Sequence, residues 1–311
     1  MARKSIELNE KQERMYNVLS QQISKVARHN RQGSYGTKKG YAEKVNKFCR
    51  FLSKEFAVQK FANISNKHLA GYVKHEQGRG ISNKTLKTEL SAIRFFHDKV
   101  DRPRHVLETE NKLLGAERLK SSGENKAWNQ QEIDRFHEVC PKFGNERMAS
   151  VAKLARNEGL RIHETLRIDR NVAEKALKTG EIKIKGKGGK VRCVPISRES
   201  ADMLKEVMKN VERGDKLFVR EGEKTHLVIK QCQNFINRHR DKFQDENRAE
   251  RIAAGEKLKE NVTFHGLRHA YAQDRYDEAK EQNINDGNAR LVVSRLLGHE
   301  RDEVTRIYTT N

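Results

Sequence analysis

Four side chains able to work on a phosphodiester stand in the carboxy-terminal part of the chain. His265 and Arg268 lie within His265-Gly266-Leu267-Arg268-His269, His299 within Leu297-Gly298-His299, and Tyr308 nine positions later. A phenol can attack phosphorus, a guanidinium can grip two phosphate oxygens at once, and an imidazole can carry the proton. Three apart on a helix, His265 and Arg268 share a face with Cβ atoms about 5–6 Å apart, close enough to meet one phosphate. His265 and His269 also have the spacing of a zinc pair. The glutamate of H-E-x-x-H is missing and no third ligand stands nearby, so neither a metal nor any other cofactor is expected. Gly298 allows a sharp turn after the apolar run Val292-Val293-Ser294-Arg295-Leu296-Leu297, which would send His299 back toward the site that Tyr308 enters. The set predicts metal-free attack on a phosphodiester, with DNA strand exchange as the leading outcome.

Charge supplies the partner. The 311 residues include 64 Lys and Arg against 43 Asp and Glu, a formal net charge of +21. Such an excess repels itself unless it meets a polyanion, so double-stranded DNA is the expected partner. RNA binding is permitted by charge alone but leaves the clustered residues unexplained. A membrane partner is not expected, because no amphipathic segment is rich in large apolar anchors and no stretch approaches a membrane span. Cys49, Cys140, Cys193 and Cys232 are scattered without metal-ligand spacing and read as reduced, half-buried thiols. Together with an amino terminus that leads into polar residues, they point to a cytoplasmic protein.

The elements that must position these residues are mostly helical, with three prolines in the whole chain. Met15, Val18, Leu19, Ile23 and Val26 form a stripe on a helix over 9–30, and Gly33 to Gly36 ends it. A second helix follows from Thr37 with Tyr41, Val45, Phe48 and Leu52 in phase. A third starts at a Ser65 N-cap and is broken at Gly78-Arg79-Gly80, and a fourth runs from Ser82 to Val100. Between Pro103 and Trp128 the pattern thins, and Lys120 to Lys126 reads as a linker. Beyond it, Asn129 and Glu132 form a capping box, helices are expected over 130–140 and 146–158, and Gly159 is placed to end the second. Residues 181–196 switch to period two around Gly186-Lys187-Gly188-Gly189, a hairpin with Ile182, Ile184, Val191, Cys193, Val194 and Ile196 as its apolar positions. Helices return over 198–211, 226–242 and 246–259. The nearly all-charged piece from Asp241 to Glu260 reads as a solvated helix with no chemical role.

Five motifs in order give the chain a resemblance to the tyrosine recombinases, the phage-integrase and Xer/Cre-like family. They are Gly159-Leu160-Arg161-Ile162-His163-Glu164, the hairpin Lys185 to Ile196, His265-Gly266-Leu267-Arg268-His269, Leu297-Gly298-His299, and Tyr308. The match runs over about 127–308, and Thr85 to Val100 resembles the family's core-binding domain with less specificity. The resemblance implies a mainly α protein with a small antiparallel β-sheet: a helical core-binding domain plus a mixed α/β catalytic domain. The expected divisions are a basic helical extension over 1–34, the core-DNA-binding domain over 35–117, a linker over 118–126 and the catalytic domain over 127–311.

The resemblance also assigns roles. Tyr308 would attack the scissile phosphorus and form a 3′-phosphotyrosine. Arg161 and Arg268, helped by His299, would neutralise charge on the non-bridging oxygens. Lys187, with Lys185 and Lys190 as neighbouring alternatives, would protonate the departing 5′ oxygen. His265 would accept the proton of a phenol whose ordinary pKa is near 10, while Glu164 and His269 would support the site. The implied assembly is a homo-tetramer on specific core sites, with accessory DNA-bending or directionality proteins as further partners. A mobile-element integrase or excisionase in a bacterial or archaeal nucleoid is the expected setting. Two features depart from the pattern. Only three residues follow Tyr308, where Xer and Cre-type relatives carry a helix that docks on a neighbour, so the helix over 9–30 becomes the candidate for holding the tetramer. The extension is also short for the arm-binding domain of lambda-like integrases. The competing readings are a type IB topoisomerase-like enzyme, against which H-x-L-R-H and the compact layout argue, and a DNA-binding relative without catalysis.

Overall fold

The computed structural model describes residues 6–33, 35–116, 124–186 and 189–298, with Thr305, Arg306 and Tyr308. The chain divides into two compact units, Met1–Lys120 and Ser121–Asn311. The segment read as a linker falls largely on residues 117–123, outside the described ones.

In the first unit, α1 (Glu10–His29) opens with a reciprocal cap between Asn9 and Gln12. It is followed by α2 (Tyr35–Glu55), α3 (Asn66–Gly78) and α4 (Asn83–His97). Ser65 and Ser82 take the N-cap positions of the last two: the Ser82 hydroxyl accepts the Thr85 N–H, and the Ser65 N–H donates to His68 Nδ1. The helices bury one aromatic core, in which Phe48 and Tyr72 meet edge to face with centroids 5.0 Å apart. Of the apolar stripe of α1, Leu19 and Ile23 are buried in this core, whereas Val18 is exposed.

The second unit starts with α5 (Gln130–Lys142), capped by Asn129 and Glu132, and α6 (Glu146–Asn157), which ends just before Gly159 at φ +63°. Two helices without a clear sequence signal follow, α7 (Ile162–Thr165) and α8 (Arg170–Thr179). The hairpin is β1 (Glu181–Lys185) against β2 (Val191–Pro195), antiparallel with Ile184 opposite Arg192. Its inward face carries Ile182, Ile184 and Val194, whereas Val191 and Cys193 point outward and are exposed. Two of the positions read as apolar flanks thus lie on the solvent face, and Arg192 takes the inward phase instead. The other three thiols are buried rather than half-buried.

The remaining helices are α9 (Arg198–Met208), α10 (Thr225–His239), α11 (Arg248–Ala253), α12 (Phe264–Glu281) and α13 (Asp286–Leu297). The charged stretch after α10 departs from the expected solvated helix. Only Arg248–Ala253 is α-helical, Phe243 is fully buried, and Arg248 at 2% exposure pairs with Glu132 at 2.9 Å. A buried cation needs a buried anion, so the capping glutamate of α5 serves twice and anchors this segment to the fold.

Candidate active site

The entry of α12 is fixed by Trp128. Its indole Nε1 donates to the Thr263 carbonyl at 2.8 Å, and its ring stacks on Phe243 with centroids 5.1 Å apart. Gly266 passes beneath it so closely that a Cβ there would collide with both the indole and the Lys126 carbonyl. This seating sets the rotation of α12 and hence the directions of His265, Arg268 and His269.

Arg268 is 1% exposed and reaches across the unit. One nitrogen donates to the Gly159 carbonyl and the other to the Leu297 carbonyl at 2.6 Å. Gly159 has no room for a side chain because Tyr271 lies against its Cα, so a positive φ and close packing both require glycine there. Burial and the neighbouring Arg161 lower the Arg268 pKa to about 10, which still leaves it cationic at neutral pH.

Tyr308 closes over this helix. Its ring stacks on His269 with centroids 4.1 Å apart and planes 21° from parallel, and the Arg268 guanidinium lies 6.0 Å from its centroid. Its Oη is 3.1 Å from His265 Nε2. Burial, then the charges of Arg268, Lys126 and Arg161, push the His265 pKa down to about 4. The imidazole is therefore neutral at physiological pH, and in the tautomer with bare Nε2 the phenol donates to it. The two histidines flank the phenol, with His269 stacked on its ring.

Glu164 organises the arginines. Buried at 2% exposure, it accepts the Arg161 backbone N–H at 2.8 Å and Arg161 Nη1 at 3.0 Å, a cap that fixes the start of α7. Arg192 grips the same carboxylate with both terminal nitrogens, at 2.9 and 2.8 Å. Burial opposes ionisation, but the bonds and charges of Arg192, Arg161 and Arg268 prevail and hold its pKa down at about 2. Arg161, Glu164, His265, Arg268, His269 and Tyr308 are thus gathered in one unit. Lys187 and His299 lie outside the described residues. Sequence reading missed Arg192, whose place on the inward phase of β2 is set only by the register of the folded hairpin. It also missed Glu158, fully buried just before Gly159. Its carboxylate accepts from Ser197 N–H at 3.1 Å, Ser197 Oγ at 2.9 Å and Ser200 Oγ at 2.9 Å. Desolvation nevertheless raises its pKa to about 7.

Beside Arg161 and His265 opens a cleft of about 750 Å³. One face of α10 lines it with His226, Lys230, Gln233, Asn234 and Asn237. These side chains offer amide, imidazole and ammonium groups at successive helical turns.

Comparison with known proteins agrees along most of the chain. The phage integrase family matches residues 126–311, and the phage integrase N-terminal family matches 16–106. The chain is 25% identical to a tyrosine recombinase XerC of Vibrio campbellii over 284 residues, covering 89% of this chain and 82% of that protein. It is 24% identical to a tyrosine recombinase XerD of Oceanobacillus iheyensis, covering 89% and 88%. Its fold is similar to that of XerH site-specific recombinase bound to a palindromic difH substrate in a post-cleavage complex. There the TM-score is 0.60 and the identity 22%, with 99% of this chain and 87% of that one covered. A lambda integrase dimer bound to a COC′ core site gives a TM-score of 0.62 at 15% identity, covering 94% of each chain. With more than half of its length matched by the family's catalytic part, the chain belongs to the phage integrase family of site-specific tyrosine recombinases, enzymes that cleave and rejoin DNA.

Proposed function

We propose that this recombinase cuts duplex DNA with Tyr308 as the nucleophile and His265 as its base. The observation that carries the reading is the 3.1 Å approach of the Tyr308 hydroxyl to an imidazole kept neutral by burial and neighbouring cations. As the phenol oxygen bonds to phosphorus, its proton passes to His265 Nε2. The bond from phosphorus to the 5′ oxygen breaks, and that oxygen takes a proton from Lys187. Arg161 and Arg268 neutralise the charge on the non-bridging oxygens, with His299 assisting. The 3′-phosphotyrosine keeps the bond energy for rejoining, so attack by a 5′ hydroxyl from another strand completes exchange. Glu164 and His269 support these groups.

The helical unit and the catalytic unit are each read as contacting specific double-stranded sites, and a homo-tetramer would hold two duplexes for exchange. The resemblance to integrases favours a mobile element, with accessory bending or directionality proteins and a nucleoid location. The polar face of α10 suits base reading, because Gln and Asn side chains pair with adenine edges. Replacing Gln233 or Asn234 by Ala is expected to weaken binding by about 1–3 kcal/mol and relax preference at one base position, as measured by competition binding on single-base site variants.

The deciding experiment uses a nicked suicide substrate carrying a candidate site, in chelator, with products run on a denaturing protein gel. Wild type should give a shifted covalent band, and Tyr308→Phe should bind the site equally well and give none. An adduct of normal yield from Tyr308→Phe would sink the assignment. Strand joining to a second duplex separates recombination from topoisomerase-like relaxation.

A further inference from the structure

Arg192 touches three separately encoded parts of the site. It is the second residue of β2, opposite Ile184, and its side chain is 10% exposed. Its two terminal nitrogens fork onto Glu164, and its Nε donates to the Leu296 carbonyl at 3.1 Å. Glu164 in turn caps the turn that presents Arg161. Leu296 belongs to the last turn of α13, two residues before Gly298, and Arg268 bonds the next carbonyl along. Gly186, the residue before Lys187, lies where a Cβ would be 3.4 Å from Glu164 Oε1 and 3.6 Å from Arg192 Nη1. At Gly298 a Cβ would come within 2.9 Å of Arg192 Cδ. The carboxylate then has four donors for its roughly four lone-pair positions.

We infer that Arg192 is a positioning residue that ties β2 and the Gly186 end of the hairpin to the Arg161–Glu164 corner, and so supports delivery of the leaving-group proton by Lys187. The inference rests on the functional reading above, in which Lys187 is the proton donor. The geometry gives Arg192 no role toward the phosphate itself, since its fork is spent on Glu164 and its Nε on a carbonyl. Without it, the Arg161 corner keeps its own two bonds to Glu164, whereas the hairpin loses the fork of Arg192 onto that corner. The loss should therefore fall on protonation of the 5′ oxygen more than on stabilisation of the phosphate. Lysine at this position keeps the charge but cannot fork, so it should restore only part of the function.

The test compares two suicide substrates of one sequence, one ordinary and one with sulfur in place of the bridging 5′ oxygen, because a thiolate leaves without needing a proton. Single-turnover cleavage is measured at saturating DNA for wild type, Lys187→Ala, Arg192→Gln and Arg192→Lys. Arg192→Gln should lose about 100-fold on the oxygen substrate, the scale of a general acid. On the sulfur substrate it should stay within about 10-fold of wild type, and Arg192→Lys should fall between on the oxygen substrate. Cleavage of the sulfur substrate also shows that each variant is folded. Equal losses on both substrates, or no loss on either, would overturn the inference provided that sulfur rescues Lys187→Ala. Should sulfur fail to rescue Lys187→Ala, the functional reading of the lysine falls, and the inference with it.

Discussion

Each unit buries carboxylates among cations, but with opposite balance. In the helical unit, Glu76 and Glu89 are 0% and 4% exposed and meet Lys47 and Arg79, while Tyr72 donates to Glu89 at 2.9 Å. Two negative charges thus face two positive ones, and the bonds tie α2, α3 and α4 together. Burial, with the adjoining Glu89 and Glu76, raises the Tyr72 pKa and keeps that phenol a donor. In the catalytic unit the described groups are one carboxylate, Glu164, and three guanidiniums, Arg161, Arg192 and Arg268. That cluster carries a positive sum, which suits a phosphate. The difference separates a neutral ionic knot that holds helices from a cationic one that holds helices and also prepares a charge for its substrate. The cost of burying like charges is met by packing and by backbone carbonyls at Gly159, Leu296 and Leu297.

The strongest way to break this comparison is to remove the anion from one cluster and the shared cation from the other. Glu164→Ala leaves buried guanidiniums uncompensated and should cost about 3–5 kcal/mol of stability. It should also drop single-turnover cleavage by at least about 100-fold at saturating DNA, the scale of losing an electrostatic contact to the transition state. Lys47 is 29% exposed, so Lys47→Ala should cost somewhat less, about 2–3 kcal/mol. It should leave saturated cleavage within a few-fold of wild type. Denaturant melts and gel-based adduct kinetics read the two quantities separately, and a cleavage loss in Lys47→Ala as deep as in Glu164→Ala would erase the distinction.

A pH series sharpens it within the catalytic unit, where two buried carboxylates flank Arg161 with opposite shifts. Glu164 is lowered to about 2 from an ordinary value of 4.5, so its stabilisation is present above pH 4.5 and lost as pH falls toward 2. Glu158 is raised to about 7 from 4.5, so its contribution is present below pH 4.5 and lost as pH rises through 7. Glu158→Gln should flatten the fall in stability between those pH values and gain up to about 3 kcal/mol at pH 8. A melting curve that tracks wild type across that window would show that Glu158 does not titrate there. The smallest expected effect is on DNA binding. Each phosphate contact should add about 0.9 to the slope of log affinity against log salt. Lys230→Ala in the α10 cleft should reduce that slope by one such increment, and an unchanged slope would place Lys230 away from the phosphates.

The site was legible where chemistry and spacing are local. His265 and Arg268 share one helix, the Glu164 carboxylate caps its own turn three residues from Arg161, and Gly298 ends α13 at φ +65° as its position required. Helices with a clean apolar stripe and a capping residue, such as those starting after Asn9, Ser65, Ser82 and Asn129, were equally readable. The phase of β2 was not, because Val191 and Cys193 look apolar in a list of residues although the pleat turns them to solvent. The charged stretch after α10 misled for the converse reason. Composition marks Arg248 as a surface residue, but Glu132, 116 positions away, makes it a buried one.

By itself the sequence determined the types, order and spacing of the candidate catalytic residues, and the charge that suits a nucleic-acid partner. Those properties reside in side-chain type and short-range periodicity, which a chain carries before it folds. Only the tertiary structure decided that Arg192 joins the site, that Glu158 is forced toward neutrality, and that the His265 ring is neutral beside Tyr308. Each of these depends on burial and on partners distant in sequence, and desolvation acts only once packing has removed the water.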